Sequence, residues 1–122
     1  MNHWQKLEYR GDGFQPFSIR LDYCHEDIAF RDMYAFDDDE EYIAKTEKEI
    51  EEGYRYFVIL RAKVYLAGVE VGSHSLGGLL FDNTEQMESM MKTDFEGIIS
   101  EAVANAKHNL RQMSEAMSGV TV

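Results

Sequence analysis

Four short runs in this sequence bring together side chains able to do chemistry. Cys24-His25-Glu26-Asp27 gathers a thiol, an imidazole and two carboxylates. Neighbouring residues on a strand or helix point in different directions, and His3, His74 and His108 lie far off in sequence. The run therefore predicts a strand end followed by a helix cap, and no metal centre. Ser73-His74-Ser75 sets two hydroxyls beside an imidazole, but without the Gly-x-Ser-x-Gly elbow that exposes a nucleophile. No acid/base pair declares itself elsewhere, so no catalytic residue is assigned and no cofactor is expected. The same run continues as Leu76-Gly77-Gly78. Two glycines directly after a polar strand allow close backbone approach, and N–H groups around Ser73, Ser75 and Gly77 would hold an anion. The competing reading is a β-bulge or bend that leads the chain toward its last helix. Arg10-Gly11-Asp12 spells an adhesion tripeptide but is read as a turn.

The cations fall in two sets. Lys107 and Arg111 are four apart on a predicted helix, and Arg55, Arg61 and Lys63 share the polar face of a predicted strand. Together they would make a cationic pocket for phosphates. Otherwise they are solvated and paired with acids of the same chain. Phe57, Tyr65 and Phe81 have ring faces suited to stacking on a nucleobase, or to a core. The acidic run Asp37, Asp38, Asp39, Glu40 and Glu41 is either a solvated helix start or a partner-binding surface. In the second case its carboxylates would imitate a phosphate backbone.

The elements that must position these residues are legible from periodicity. Phe17 to Tyr23 alternates apolar and polar, a half-buried strand, and Trp4 to Tyr9 is its partner across a Gly11-Asp12-Gly13 turn. Asp27 to Tyr34 reads as a short helical turn. Asp37 to Glu52 reads as an acidic helix closed by Gly53, with Phe36, Ile43 and Ile50 as a thin apolar stripe. Tyr54 to Leu66 is the strongest strand, with Tyr56, Val58, Leu60, Ala62, Val64 and Leu66 on one face. Ala67-Gly68 turns the chain into a strand reaching Phe81. The simplest register pairs Leu66 with Val69 and His74 with Arg61, unless a bulge at Gly68 or Gly72 shifts it. Glu85 to Met91 suggests a short helix. Thr93-Asp94-Phe95-Glu96 is a capping box opening a long amphipathic helix, whose apolar face runs from Phe95 to Met117 before a frayed tail over 118–122. The predicted fold is α+β: an antiparallel β-sheet in ββ-α-ββ-α order, helices on one face, with an acidic helix and a long C-terminal amphipathic helix.

Composition bounds the rest. The 122 residues suit a single domain over 1–122. At 44% hydrophobic and 12% aromatic the chain is too apolar for a disordered acidic tail. No apolar run approaches the ~20 residues of a membrane span, and the N-terminus lacks a charged-then-apolar leader. The lone Cys24 points to a reducing, cytoplasmic setting. The net charge is −11, and residues 22–52 alone carry thirteen acids against three bases. The protein is therefore a nearly neutral domain bearing an acidic arm. That balance excludes a general nucleic-acid binder, because phosphate contact needs Lys and Arg, yet it permits a local anion pocket. Phe57 and Tyr65, on the polar side of their strand, require cover, which predicts a homo-oligomer.

The stretch Tyr56-Phe57-Val58 through Gly68-Val69-Glu70-Val71-Gly72-Ser73 and Ser75-Leu76-Gly77-Gly78, followed by the helix ending in Lys107 to Arg111, resembles small proteins of phages and mobile elements over about half of the chain. Among characterised groups it is most similar to the Thoeris anti-defence sponges. Those are non-enzymatic oligomers that sequester a cyclic ADP-ribose signal between a β-sheet and C-terminal helices. The resemblance implies a counter-defence protein of the host cytoplasm that binds a phosphate-bearing cyclic nucleotide in a pocket at an oligomer interface. Arg55, Lys107 and Arg111 would hold phosphates, Phe81 would stack, and the Ser73–Gly78 segment would lend backbone donors. Lys107 stands where an arginine would bind phosphate with two parallel bonds. Anti-CRISPR and anti-restriction proteins share the size and acidity. On that alternative the 37–41 acids would block a nucleic-acid-binding surface of a host defence protein.

Overall fold

The computed structural model describes residues 3–7, 13–34, 39–93 and 96–119. Strands β1 (Gln5–Leu7), β2 (Ser18–His25), β3 (Tyr56–Leu66) and β4 (Val69–Phe81) form one antiparallel sheet in the order β1-β2-β3-β4. Helices α1 (Phe30–Met33) and α2 (Glu40–Glu51) join β2 to β3, and α3 (Thr84–Lys92) and α4 (Glu96–Ser118) follow β4. The expected α+β order is present, each main helix being preceded by a short one.

Local chemistry sets the element ends. The Asp39 side chain caps α2 by accepting from the Tyr42 N–H at 3.1 Å, and Asn83 caps α3 by accepting from Gln86 at 2.7 Å. Gly53, at φ 84°, ends α2 in the left-handed conformation that glycine adopts without strain. The Arg10-Gly11-Asp12 turn, Phe36, Asp37, Asp38, the Asp94-Phe95 part of the capping box and residues 120–122 lie outside the described residues.

β3 is buried on both sides. Val58, Leu60, Ala62 and Val64 are each 0% exposed, and α4 lays Ile98, Ile99, Ala102, Val103 and Ala106 against the core they form. On the other side Phe57 meets Phe30 of α1 and Ile43 of α2, with Met33, Ile50 and Leu80 around them. The Phe30 and Phe57 rings stand 5.3 Å apart at 83°, an edge-to-face contact. Helices thus flank both faces, not one as the sequence pattern suggested. The reason is apolar burial: covering a phenylalanine contributes about 1.5–3 kcal/mol, and the α1–α2 connection lies where it can do so. Phe57 takes its cover from its own chain.

The β3–β4 register starts as expected at Leu66–Val69 and then shifts. Val71 is an extra residue next to Gly72, so His74 lies opposite Ala62 and Ser75 opposite Arg61. His74 therefore does not pair with Arg61; it shares the α4 side of the sheet with Ala62. A second irregularity falls at Gly77-Gly78, where Gly78 has φ 71°. The glycine pair is a bulge within a continuous strand.

Gly72 is the point of closest approach between sheet and helix. A Cβ there would lie 2.6 Å from Ala106 N and 2.8 Å from Ala102 O, both backbone atoms that cannot rotate away. Gly72→Ala should therefore push α4 off the sheet and destabilise the domain by about 3 kcal/mol, read as a lower urea midpoint. Gly68→Ala serves as the control, since its Cβ meets nothing within 4 Å and only its positive φ is strained.

Candidate functional site

Directly opposed residues in an antiparallel sheet share a face, so the register builds the candidate site row by row. Lys6, Asp22, Arg61 and Ser75 form one row across all four strands. Arg20, Lys63 and Ser73 form the next, and Ser18, Tyr65 and Glu70 the one after. All lie on the side opposite α4. The α1–α2 unit covers only the Phe57 end of that side. Ser18, Arg20, Ser73 and Ser75 are exposed.

Asp22 organises the rows. Its carboxylate is 1% exposed and accepts two parallel bonds from Arg61, Nε to Oδ1 at 2.9 Å and Nη2 to Oδ2 at 2.7 Å. Arg20 Nε stands 3.9 Å from the same carboxylate. The hydrogen bond to Asp22 pushes the Arg61 guanidinium pKa up, so Arg61 stays charged. The Trp4 ring covers it at 3.5 Å from centroid to Cζ, a cation–π contact. Lys63 Nζ lies 3.7 Å from Glu70 Oε1. Among the described residues, four cations, Lys6, Arg20, Arg61 and Lys63, thus face two acids, Asp22 and Glu70. In a chain of net charge −11 this is a local excess of positive charge. With the hydroxyls of Ser73 and Ser75 and the ring of Tyr65, the face sets charged and hydroxyl donors beside an aromatic ring. Burial pushes the pKa of the neighbouring Cys24 thiol up, which keeps it protonated and unreactive.

The residues singled out by sequence are not brought to one place. Ser73 and Ser75 join the cationic rows beside Lys63 and Arg61. Arg55 sits instead between acids of its own chain. Its Nε is 3.2 Å from Asp82 Oδ1 and its Nη1 3.9 Å from Glu49 Oε2, and the Nε, turned off the hydrogen-bonding direction, makes no hydrogen bond. Phe81 is 2% exposed inside the core, so it has no face left for a nucleobase. Lys107 and Arg111 are exposed on α4 near the opposite end of β4, where Asn109 donates to Val71 O. About 30 Å of strand, at ~3.3 Å per residue, separates that end from Asp82. Arg55, Phe81, Lys107 and Arg111 therefore cannot line a single pocket within one chain.

The glycine bulge does hold an anion, and the anion is Glu26. Gly78 N–H donates to Glu26 Oε2 at 2.8 Å, and a Cβ on Gly77 would sit 2.6 Å from the same oxygen. Tyr34 Oη closes the other side by donating to Gly78 O at 2.8 Å. Gly77 is thus a structural position. The acids of the 22–52 arm are divided in the same way: Asp22 is a buried counter-ion, Glu40 and Glu47 pair with Arg31, and Asp39, Glu41 and Glu51 are exposed on or beside α2. Sequence reasoning missed Trp4, Lys6, Arg20 and Asp22. The alternation of residues 17–23 already places Arg20 and Asp22 on one face, but only strand pairing shows which cations stand opposite.

Asp22→Ala would leave Arg61 charged beneath Trp4 without its counter-ion. The expected cost is about 3 kcal/mol in urea denaturation, with much of it recovered when Arg61→Met is added. Among the described residues no group of His, Cys, Asp and Glu side chains is placed to hold a metal ion, and no helix is long and apolar enough to cross a membrane. Comparison with protein families, with curated proteins and with solved structures gives no match for this chain.

Proposed function

We propose that this protein is a non-enzymatic binding protein whose uncovered sheet face takes a phosphate-bearing nucleotide and acts by sequestering it. The observation that carries the reading is the pair of rows Lys6–Asp22–Arg61–Ser75 and Arg20–Lys63–Ser73, a cation-rich patch on an otherwise acidic chain. Arg20 and Lys63 contact the phosphates, the serine hydroxyls add donors, and Tyr65 packs on the planar group. Arg61 acts through Asp22 and Trp4 to hold the patch rigid. The resemblance to anti-defence sponges supplies the ligand class, a cyclic ADP-ribose type of signal, and the setting, the cytoplasm of a phage-infected host. Calorimetric titration with cyclic ADP-ribose isomers tests it. Binding should be measurable at about ten micromolar and fall roughly tenfold in each of Arg20→Ala and Lys63→Ala, as for loss of one charged hydrogen bond. Lys107→Ala and Arg111→Ala should leave it unchanged. Absence of heat at tens of micromolar would sink the proposal.

The acidic helix supports a second reading, an inhibitor that docks on a basic nucleic-acid-binding surface of a host defence protein. Here the observation is that α2 is firmly seated through Ile43 while Asp39, Glu40 and Glu41 stay exposed at its N-terminal end. Neutralising these three to Asn and Gln should abolish such inhibition and remove its salt dependence while sparing nucleotide binding.

A further inference from the structure

The apolar face of α4 is longer than the sheet it covers. Ile99, Val103, Ala106, Leu110, Met113 and Met117 follow one another at spacings of four, three, four, three and four, an unbroken heptad seam. The first three are buried, but Met113 is 57% and Met117 72% exposed, and Leu110 is only half-buried. Among the described residues no core residue covers this half of the helix. Its edge carries Lys107 and Arg111, whose stems line the same shallow apolar surface as Leu110.

A second apolar surface, uncovered among the described residues, lies at the other end of β3. A cavity of about 280 Å³ opens between the β2–α1 connection and α2. Its floor is Phe30, Ile50 and Phe57, with Ile28, 50% exposed, beside them, and its rim carries Glu26, Glu47 and Glu51. The chemistry of the two surfaces is complementary. Glu26 is held by the Gly78 N–H and Glu47 by Arg31, so Glu51 is the rim carboxylate set to meet a cation, beside an apolar floor that suits Leu110 and the adaptable Met113 and Met117.

They cannot meet within one chain. α4 packs on the Val58–Val64 side of the sheet, whereas the groove lies on the Phe57 side. Asn109 also ties the α4 tail to Val71, close to the β3–β4 turn, while His25 pairs with Val58 near the groove at the other end of β3. We propose that copies of this chain associate head to tail, the Leu110–Met117 segment of one seated in the acid-rimmed groove of the next. Pairing of two α4 tails would cover one apolar surface and leave the groove beside α2 open, whereas the head-to-tail contact covers both. The head-to-tail contact is independent of the nucleotide site, which stays open on the other half of that face.

Mass measurement by light scattering across a concentration series, together with mixing of two variants, tests this. Met113→Asp spoils the helix and leaves the groove. Ile28→Asp spoils the groove and leaves the helix. Both positions are exposed, so the fold tolerates either change, and circular dichroism checks it. The unaltered chain should exceed its 14.1 kDa monomer mass increasingly with concentration. Each variant alone should stay monomeric, and an equimolar mixture should give a complex of twice that mass, because one intact interface remains. A charge exchange gives a second readout: Glu51→Lys should weaken association at least tenfold, and adding Arg111→Glu in the same chain should restore it. A monomer at all concentrations up to about a millimolar would overturn the proposal. So would Met113→Asp abolishing association while Ile28→Asp does not, the signature of α4 pairing with α4.

Discussion

Everything in this molecule hangs on the alternation of β3. A strand sends successive side chains to opposite faces, and β3 sends large apolar groups both ways near its start. Val58, Leu60, Ala62 and Val64 require a helix on one side, and α4 supplies it through Ile99, Ala102 and Ala106. Phe57 requires cover on the other, and Phe30 and Ile43 supply it. Beyond Phe57 and Ile59 the second face carries Arg61 and Lys63, whose charges favour water over further cover by the α1–α2 unit. Among the described residues, the cationic rows are the part of this face that the α1–α2 unit leaves uncovered.

Charge is distributed by the same logic. Asp22 belongs by sequence to the acidic segment but by structure to the sheet. A carboxylate 1% exposed survives there only because Arg61 meets it with two parallel bonds and Trp4 screens the guanidinium from water. The arm is therefore not one surface. Among the described residues, Asp22 neutralises the sheet, Glu40 and Glu47 tie α1 to α2 through Arg31, and Asp39, Glu40, Glu41 and Glu51 face solvent on or beside α2. Net charge alone does not describe the surface of this −11 chain, because among the described residues Lys6, Arg20, Arg61 and Lys63 outnumber Asp22 and Glu70 on the sheet face while exposed acids gather on α2.

The Gly77-Gly78 bulge shows how a correct chemical inference reaches a different conclusion in three dimensions. Two glycines free their backbone donors for an anion, as the residue types imply. The anion supplied is Glu26, fifty-two residues away in sequence, and Tyr34 grips the same peptide from its carbonyl side. This double grip seats the α1 segment against β4 and so helps shape the groove beside α2.

Sequence by itself determined the elements. Periodicity located all four strands and both main helices, and Gly53 marked the end of α2, because these are properties of adjacent residues, whereas the choice of Asp39 among the aspartates as the N-cap is seen only in the fold. It also singled out Ser73 and Ser75, which do fall in the candidate site. Which residues stand together was decided only by the tertiary structure. Arg55 and Phe81 looked available until Glu49, Asp82 and the core claimed them, and Lys6, Arg20 and Trp4 looked ordinary until pairing set them beside Lys63 and Arg61. The physical reason is register. One extra residue at Val71 moved His74 away from Arg61 and put Ser75 there, and a shift of one position exchanges the faces of a strand. The sequence offered Gly68 and Gly72 as places for such a shift, and the tertiary structure chose Gly72, where α4 packs against the strand at Ala106.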